Sequence, residues 1–469
     1  MGWHTGTPSV QSGDAGGRAV VVPAIAVPSS VACLRSLGRR GIRTIAISEQ
    51  DRPPAFHSRY CDETYSVPDP AENLIGYRNA LLSLAARDDV ATILPVREED
   101  VYVLANNRAE FSQHIGTPWP DSETLTAVHD RVSLFDTAER AGVATPETSL
   151  LSGDNSWDRE WIVKSRYAVL TTDYVDSIPR ERSRSPPTTQ YLGPGRVPDV
   201  DTLVDEMGHV PLLQEFVPTS SEYAFFAIYD HGDALATFQH RQHRGYSFAG
   251  GASAFRESVA IPELERAGRA MLDALEWHGV AMVEFLKDPR SDEFRLMEIN
   301  PRFWSSLPFS VRAGADFPHY AWSLATADDP VIDSGYRTGI AGHLIRGELL
   351  YLYSILSEEN DLVDPPSLPR AIIDVASSMI RHPRFDYLVR DDPRPFFRDG
   401  NIALEEAITG SRRTNDMAES VRSRQEPPDE WHSDPDDIFD EIDGDAVVRL
   451  ETAGQTDDGQ RGNTGRPEK

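Results

Sequence analysis

The sequence predicts an α/β protein that begins with a Rossmann-like layer of parallel strands. Residues 19–50 have the pattern strand, helix, strand: a β-branched run AVVVPAIAV, a helical stretch SSVACLRSLGRRG that ends in glycine, and a second strand IRTIAIS. The pattern repeats more loosely as the helix NLIGYRNALLSLAARDD, the buried strand ATILPV and the helix EEDVYVLANNRAEF. Alternating strands and helices favour a parallel sheet, so we expect a Rossmann-like domain over residues 19–120. No glycine fingerprint follows the first strand, and a dinucleotide site is therefore unsupported.

The segment that follows predicts a small α+β unit over about residues 135–218. Its elements are a helix VHDRVSLFDTAERAG, a strand WIVKSRYAV at 161–169, a helix VDTLVDEMG and a strand VPLLQEFV. Residues 170–200, between the first strand and the second helix, are rich in Pro, Ser, Arg and Thr. We expect this stretch to form a long mobile loop.

A larger antiparallel part is predicted over residues 219–330. EYAFFAIYD and ALATFQHRQH have the composition of strands, and the glycine-bearing GYSFAGGASAFRE is expected to be a loop. The helix ELERAGRAMLDALEW precedes GVAMVEFLKD and EFRLMEIN, which form a hairpin around the turn DPRSD. Residues 331–410 are expected to be mostly helical. Residues 1–18 and the acidic stretch 411–469 contain too few apolar residues to build a core, and we expect both to be disordered.

Composition limits the classes of partner. The formal net charge of -29 argues against a nucleic-acid surface, and no apolar run is long enough to suggest a membrane helix. Two cysteines, Cys33 and Cys61, cannot build a disulfide framework, which fits a cytoplasmic protein. Only Lys164, Lys287 and Lys469 among the 46 basic residues are lysines, and an acid-rich, lysine-poor surface is typical of adaptation to high salt.

The stretch MEINPRFWSS at the end of the predicted hairpin carries an unusual set of polar residues. Strand side chains alternate, so Glu298 and Asn300 share one face, and a turn centred near Ser291 places Glu284 opposite Glu298. Two like charges directly across a ladder destabilise it, and a cation between them would reverse that effect. Two carboxylates and an amide oxygen are hard ligands that suit Mg2+. The alternative is a solvent-facing pair whose repulsion is screened by salt.

The hairpin residues, together with motifs upstream in the same order, resemble the ATP-grasp enzymes. Glu284 followed by E-x-N-P-R (298–302) is similar to the metal-binding end of that family, closest to the carbamoyl-phosphate-synthase-like group of carboxylate–amine ligases. The upstream matches are HDR with Arg131, WIVKS with Lys164, QEFV with Glu215, Glu222 seven residues later, and the pair Gly250–Gly251. The resemblance covers residues 19–330, and its motifs are specific in combination rather than singly.

The resemblance implies an ATP-grasp fold: a Rossmann-like N-terminal domain, an ATP-grasp domain over 121–330 and a helical C-terminal segment. It implies ATP as cosubstrate and Mg2+, with Mn2+ as an alternative. The implied metal ligands are Glu284, Glu298 and Asn300. The implied nucleotide contacts are Arg131 and Lys164 on phosphates, Glu215, Phe216 and Val217 on adenine, and Glu222 on ribose. Arg302 and Lys164 are the implied catalytic residues. The candidate substrate contacts are Arg241, Arg244, Gly250, Gly251 and Arg256.

Several of these residues also have an ordinary structural explanation. Lys164 is long enough to extend from an apolar strand to the surface, and Arg131 fits a helix surface. The arginines near the glycine pair fit a solvated basic face on an acidic protein. His240 and His243 are expected to be polar loop residues, and Phe303 and Trp304 to pack in a core.

The chain departs from the family after the strand lysine, where the usual glycine-rich phosphate loop is replaced by SRYAVLTTDYVDSIPRER. Arg180, Arg182 and Arg184 are candidates to substitute for it. The implied reaction is ATP-dependent joining of a small carboxylate to an amine, or to a thiol, through an acyl-phosphate. Two alternatives stay open: a kinase-like enzyme that stops at phosphoryl transfer, and an ATP-binding regulatory protein without turnover. The substrates and the oligomeric state are not determined by the sequence.

We predict that residues 411–469 are dispensable for catalysis, because no motif residue lies among them and their composition cannot support a core. A chain that ends at residue 410 should keep the turnover and melting temperature of the full chain. Loss of turnover in a truncated protein that still melts normally would mean that these residues enter the active site.

Overall fold

The computed structural model describes residues 17–402, apart from 154, 220 and 221. The first sheet has the strand order β3-β2-β1-β4 and all its pairings are parallel, which confirms the predicted parallel sheet. Its strands are β1 (Ala19–Pro23), β2 (Arg43–Ser48), β3 (Glu63–Ser66) and β4 (Val90–Ile93). The helices that alternate with them are α1 (Pro28–Gly38), α2 (Leu74–Ala85), α3 (Glu98–Asn106) and α4 (Arg108–Phe111).

The second sheet is small and antiparallel, with the order β5-β8-β6-β7. Its strands are β5 (Thr148–Leu150), β6 (Trp161–Lys164), β7 (Gln190–Leu192) and β8 (Leu212–Glu215). The helices of this part are α5 (Ser122–His129), α6 (Arg131–Arg140) and α7 (Val200–Met207). The prediction of one helix from VHDRVSLFDTAERAG is wrong, since Asp130 leaves the helical conformation (φ -86, ψ 103) and caps α6 by accepting from the Val132 amide. Aspartate favours this position because its carboxylate satisfies an amide that has no partner within the helix.

The third sheet has six strands in the order β13-β12-β9-β10-β11-β14, all antiparallel. Its strands are β9 (Glu222–Asp230), β10 (Asp233–Ser247), β11 (Gly250–Ser258), β12 (Gly279–Lys287), β13 (Phe294–Asn300) and β14 (Ala341–His343). The helices around it are α8 (Pro262–Ala274), α9 (Leu307–Ala313), α10 (Phe317–Thr326), α11 (Ile345–Ser357) and α12 (Leu368–Arg381). The described part of 331–410 therefore contains a strand besides its helices.

The stretch GYSFAGGASAFRE was expected to be a loop and is instead the closed end of the β10–β11 hairpin. A Cβ atom on Gly245 would lie 2.3 Å from the carbonyl oxygen of Gly250, so the strands approach each other only because glycine stands there. Gly250 and Gly251 have φ values of 131° and 89°, which a side chain would strain. The glycines that suggested a loop thus make the turn and the close approach possible.

Strand β9 is buried on both faces, and its side chains alternate between two apolar cores. Phe225 and Tyr229 join the core that includes Met271 of α8. Phe226 joins the other core, which includes Leu307 of α9. This burial fixes the register of the central strands, because a slip by one residue would exchange the two faces. Among the helices of the described chain, none combines the length and apolarity that a bilayer crossing needs.

The stretch RDDPRP near the end of the described chain packs against the parallel sheet. Arg35 of α1 donates to Asp392 at 2.8 Å, and both side chains are nearly inaccessible to solvent, at 6% and 1% exposure. The same carboxylate accepts from the Ser58 hydroxyl at 2.7 Å and from the Arg59 amide at 2.9 Å. Asp392 therefore holds the C-terminal segment against the Rossmann-like layer.

Candidate active site

The β12–β13 hairpin brings two carboxylates together. Glu284 pairs with Glu298 in the ladder and Met282 pairs with Asn300, as the turn position predicted. The amide nitrogen of Asn300 donates to Glu284 Oε1 at 3.2 Å and to Glu298 Oε1 at 3.3 Å. The other oxygen of Glu298 accepts from Arg131 at 2.8 Å. The Asn300 amide and the Arg131 guanidinium thus reduce the repulsion between the two side chains.

The electrostatics of this pair favour one negative charge rather than two. Desolvation raises the pKa of Glu284, and the facing Glu298 raises it further. Desolvation also acts on Glu298, but the adjacent Arg131 guanidinium lowers its pKa overall. A divalent cation between the carboxylates would favour the charged form of both. Glu284 and Glu298 therefore fit a magnesium ion by the chemistry of their oxygens.

Asn300 fits the predicted set of metal ligands only if its side-chain amide changes orientation. Its amide nitrogen faces the carboxylates, and its oxygen accepts from Arg302 at 2.9 Å. A third oxygen ligand would require the amide to exchange the positions of its oxygen and nitrogen. Asn300 therefore lies where the sequence predicted, and its side chain contacts Glu284, Glu298 and Arg302.

Arg131 connects the hairpin to the small sheet. It begins α6, directly after the break at Asp130, and its side chain is 12% exposed. One terminal nitrogen donates to the carbonyl oxygens of Ser165 and Tyr167 at 3.0 and 3.2 Å, and the other donates to Glu298. The end of β6 is thereby held against Glu298 and the paired Glu284.

Lys164 is the last residue of β6 and is 9% exposed. Its ammonium nitrogen lies 5.5 Å from the centre of the Phe135 ring. Burial, and secondarily the charge of Arg131, lowers the pKa of Lys164 to about 7. Burial disfavours the charged form of Lys164, and a bound anion would stabilise that form. Lys164 is therefore suited to bind an anion.

Lys164 lines a cavity of about 380 Å3 together with the other predicted nucleotide residues, which are Arg131, Glu215, Phe216, Val217 and Glu222. The predicted metal ligands Glu284 and Glu298 and the candidate substrate contacts Gly250 and Gly251 line it as well. The sequence did not single out Tyr191, whose ring meets Phe216 edge to face at 6.2 Å on the same wall. The structure therefore brings the predicted nucleotide residues to one cleft between the second and third sheets.

The side chain of Glu215 is occupied by other residues. Its carboxylate contacts Arg290 at 2.8 Å and Arg295 at 3.6 Å, both on or beside the β12–β13 turn. The predicted contact between this residue and an adenine amino group therefore has to come from the backbone of β8. Phe216 and Val217 continue that backbone along the cavity.

Glu222, the predicted ribose contact, accepts from Gln242 at 2.6 Å, and desolvation raises its pKa to about 7. A Cβ atom at Gly250 would lie 2.9 Å from the nearer carboxylate oxygen of Glu222. Glycine at position 250 therefore leaves room for this carboxylate at the cavity wall.

The loop over residues 170–200 reaches the cavity with different residues from those suggested. Arg182 contacts Glu72 at 3.0 Å, and Arg184 donates to the carbonyl oxygens of Glu206 and Met207 at the end of α7. Arg180, like these two, does not line the cavity. The lining residues are Ser165 and the run Pro186, Pro187, Thr188 and Thr189. The suggestion that arginines replace the glycine-rich loop is wrong, and backbone and hydroxyl groups lie there instead.

Arg302 is anchored by a residue that the sequence reasoning missed. Its Nε donates to Glu98 at 2.7 Å, and the second oxygen of Glu98 lies 3.1 Å from Nε2 of the fully buried His129. Desolvation opposes ionisation of Glu98, but Arg302 and His129 lower its pKa. The sequence did contain a signal for Glu98, since this residue follows just after β4. The carboxyl ends of parallel strands are where α/β sheets bind ligands.

A second cavity of about 510 Å3 lies on the other side of the hairpin residues. It shares Glu222, Gly251, Glu284 and Glu298 with the first cavity, and it adds Asn300 and Arg302. The two carboxylates therefore stand in the wall that the cavities have in common. A group transferred from one cavity to the other would pass this pair.

The three candidate substrate arginines lie outside both cavities. Arg256 is completely buried and forms an ion pair with Asp386, and Arg244 contacts Glu348 at 2.8 Å. The Arg241 guanidinium lies 5.8 Å from the centre of the Tyr223 ring. Arg244 and Arg256 therefore form ion pairs within the protein, and none of the three arginines has a role in the function proposed below.

The two histidines differ from each other. His240 is 2% exposed on β10 and lines the larger cavity, so its prediction as a polar loop residue is wrong. His243 also lies on β10, so its prediction as a loop residue is wrong as well, and it contacts Glu257 at 3.1 Å. Phe303 and Trp304 are each 1% exposed in the core, which confirms their packing role, and Trp304 also lines the larger cavity.

Comparison with known proteins supports the fold. No protein-family model matches the sequence, and no curated protein sequence matches it. A solved N5-carboxyaminoimidazole ribonucleotide synthetase in complex with ADP is 13% identical with a TM-score of 0.51, and the match covers 78% of this chain and 97% of that chain. An L-amino acid ligase from Bacillus licheniformis is 12% identical with a TM-score of 0.50, over 69% of this chain and 78% of that chain.

Pyruvate carboxylase from Rhizobium etli is 15% identical with a TM-score of 0.50. That match covers 69% of this chain but only 29% of the carboxylase chain. At these identities the likeness establishes the fold alone, and the ATP-grasp fold predicted from the sequence is confirmed.

We expect Lys164→Met to weaken binding of a non-hydrolysable ATP analogue by about tenfold or more, since hydrogen bonds to charged groups contribute about 1.5–3 kcal/mol. Analogue binding to the wild-type protein at pH 8 without Mg2+ should also take up a proton. Lys164 has a pKa near 7 in the free protein and is mostly neutral at pH 8, and a bound phosphate would raise that pKa. Calorimetry in buffers of different ionisation enthalpy measures both quantities.

Lys287→Met is the matched control, because Lys287 is also on a strand but contacts Asp292 at 3.1 Å and lines neither cavity. This variant should bind the analogue as the wild-type protein does. Lys164→Arg should retain part of the affinity without proton uptake, since arginine stays protonated. Unchanged affinity in a folded Lys164→Met protein would contradict the phosphate role.

Proposed function

We propose that this protein is an ATP-dependent ligase that joins a small carboxylate to an amine, or to a thiol, through an acyl-phosphate and with Mg2+. One observation carries the proposal: Glu284 and Glu298 face each other in the wall shared by two cavities. The smaller cavity contains the cationic Lys164 and Arg131, which suit phosphates, and the larger one is available for the substrate to be activated. Mn2+ is an alternative to Mg2+ with the same kind of oxygen ligands.

On the nucleotide side, Lys164 and Arg131 would hold phosphate oxygens, and Glu222 would accept from a ribose hydroxyl. The backbone of residues 215–217 would contact the base. The hydroxyl groups of Thr188 and Thr189 lie on the same cavity wall and would add donors to the phosphates. Phosphoryl transfer depends mostly on such positioning and charge neutralisation, so the protein needs no nucleophile of its own.

At the shared wall, Glu284 and Glu298 would hold the metal ion, with Asn300 as a third ligand if its amide turns its oxygen toward them. The bound cation would neutralise charge on the transferred phosphoryl group. Release of the proton from Glu284 accompanies this binding, because desolvation and the neighbouring carboxylate raise the pKa of the free residue.

On the substrate side, Arg302 would neutralise the activated acyl group. The substrate carboxylate takes the γ-phosphoryl group of ATP, which leaves ADP. The ammonium form of the amine loses its extra proton to solvent, and the lone pair of the free amine attacks the carbonyl carbon. The bond between that carbon and the phosphate oxygen then breaks, phosphate leaves, and the nitrogen gives a second proton to solvent. Arg302 is 24% exposed and held by Glu98 at 2.7 Å, so its guanidinium is oriented before any substrate arrives. Preorganised charge of this kind contributes to stabilising the transition state.

A second possibility is a protein that binds ATP and stops earlier, either at phosphoryl transfer or before it. The observation that favours it is the loop over 165–200, which presents Pro186–Thr189 at the cavity where the family has a glycine-rich loop. The complete set of Glu284, Glu298, Asn300 and Arg302 favours the ligase.

Phosphate release separates these possibilities. We expect Mg2+-dependent release from ATP, in high salt, that requires one acid and one amine from a matrix of organic acids and amino acids. Release that requires an acid alone would support the kinase-like alternative. Nucleotide binding without phosphate release under any combination would support the regulatory protein.

We predict that Glu284→Gln abolishes turnover, with a loss larger than the 10–100-fold that removal of an outer metal contact costs. The metal-free variant should melt at or slightly above the wild-type temperature, because glutamine resembles the neutral Glu284 that the free protein favours and cannot repel Glu298. Glu298→Gln should also lose turnover but melt lower, since it leaves Arg131 without its carboxylate partner. Thermal melts and turnover of the same preparations test this.

Glu293→Gln provides the control, since Glu293 belongs to the same hairpin but is exposed on the turn. It should behave as the wild-type protein in both measurements. A Glu284→Gln protein with near-wild-type turnover would exclude the metal from the hairpin and with it the proposed function.

A further inference from the structure

The larger cavity lies between the parallel sheet and the third sheet. Its Rossmann-like side is formed by Ile25, Val27 and Ser29 after β1 and by residues 96–99 after β4. Its other side is formed by strands β9 to β13. A ligand here would sit at the carboxyl ends of parallel strands on one side and beside the metal-binding pair on the other.

Glu99, Glu222 and Glu284 are the acids of this cavity for which the described chain provides no ion-pair partner, and of the three only Glu99 has no place in the nucleotide and metal sites proposed above. Arg97 contacts Glu49 at 2.9 Å and Asp100 at 2.9 Å, while Glu98 contacts Arg302. Within the part of the chain that the structure describes, no cation pairs with Glu99, although it is only partly exposed. Desolvation raises its pKa, and a cationic ligand would offset that cost.

Three residues that line the same cavity, His240, Ser253 and Trp304, are 2%, 5% and 1% exposed. In the described part of the chain, each carries a buried polar atom without a hydrogen-bond partner: Nδ1, Oγ and Nε1, respectively. Burial lowers the pKa of His240 well below its ordinary value, so all three are uncharged polar groups. A buried polar group without a partner is costly, and three in one cavity indicate a ligand that supplies the missing hydrogen bonds.

We propose that the larger cavity binds an amine-bearing substrate, with its ammonium group on Glu99 and its uncharged polar groups on Ser253, His240 and Trp304. This inference rests on the ligase activity proposed above and names the chemical class of one of its substrates. Trp304 Nε1 can only donate, so the substrate carries an acceptor such as a carbonyl oxygen at that end. Glu99 is a binding residue in this scheme.

The test measures binding without turnover, in the presence of Mg2+ and a non-hydrolysable ATP analogue. The probes are two matched pairs: L-alaninamide with L-lactamide, and putrescine with 1,4-butanediol, where a hydroxyl group replaces each ammonium group. We expect both ammonium probes to bind the wild-type protein saturably, and at least about tenfold more tightly than their hydroxyl counterparts. Glu99→Gln should reduce that preference by about tenfold or more.

Two further variants separate a specific contact from a general effect. Glu123→Gln removes an acid from the first turn of α5, as Glu99→Gln does for α3, but Glu123 is exposed and outside both cavities; it should leave probe binding unchanged. Ser253→Ala should weaken L-alaninamide binding by about two- to tenfold. Absence of binding by both ammonium probes, or equal binding to the wild-type and Glu99→Gln proteins, would overturn the inference.

Failure of this inference is distinguishable from failure of the proposed function. Phosphate release that needs an acid and an amine, together with probe binding that ignores Glu99, would leave the ligase standing and remove the role of Glu99. Probe binding that needs Glu99, without any amine-dependent phosphate release, would remove the ligase and leave a site for ammonium compounds.

Discussion

The structure is organised around the repulsion between Glu284 and Glu298. The groups that reduce this repulsion come from different elements, and each makes a second contact elsewhere. Arg131 holds the carbonyl oxygens at the end of β6 as well as Glu298. Arg302 lies beside the pair through Asn300 and reaches Glu98 on the Rossmann-like layer. One unfavourable charge pair in the hairpin is therefore connected to all three sheets, and the cleft takes its shape from these connections.

Burial shifts the pKa values of three ionisable groups in the cleft toward the neutral form of each group. Burial favours neutral Lys164, neutral Glu222 and neutral Glu284 in the free protein. A bound phosphate would restore the charge of Lys164, and a bound cation would restore the charge of Glu284. Such perturbed groups, brought together in one cleft from three separate parts of the chain, are more typical of a functional site than of a stability device. The proposed chemistry requires Lys164 and Glu284 in their charged forms, which burial disfavours in the free protein.

The sequence predicted the local features better than the distant contacts. The parallel sheet follows from patterns within a few residues. The pairing of Glu284 with Glu298 agrees with the turn position that the sequence predicted, although a register shift between Glu284 and Phe285 separates this pair from the turn. The glycines near Gly250 were misread because glycine serves both loops and close strand contacts. Glu98 and the partners of Arg182 and Arg184 depend on segments distant in the chain, and no local pattern reports such contacts. The side-chain orientation of Asn300 is likewise set by Arg302.

The arginines that suggested a carboxylate site instead fasten the C-terminal segment, and this has a consequence for the cleft. Buried ion pairs join that segment to the β10–β11 edge and to α1: Arg244–Glu348, Arg256–Asp386 and Arg35–Asp392. Arginine suits these places because its planar group pairs with carboxylates at two points and stays charged when buried. Since α1 belongs to the Rossmann-like layer and β10 to the third sheet, these ion pairs add to the apolar core that the two already share. In the proposed function, the distance from Glu99 to Glu284 and Glu298 across the larger cavity would limit the length of the substrate.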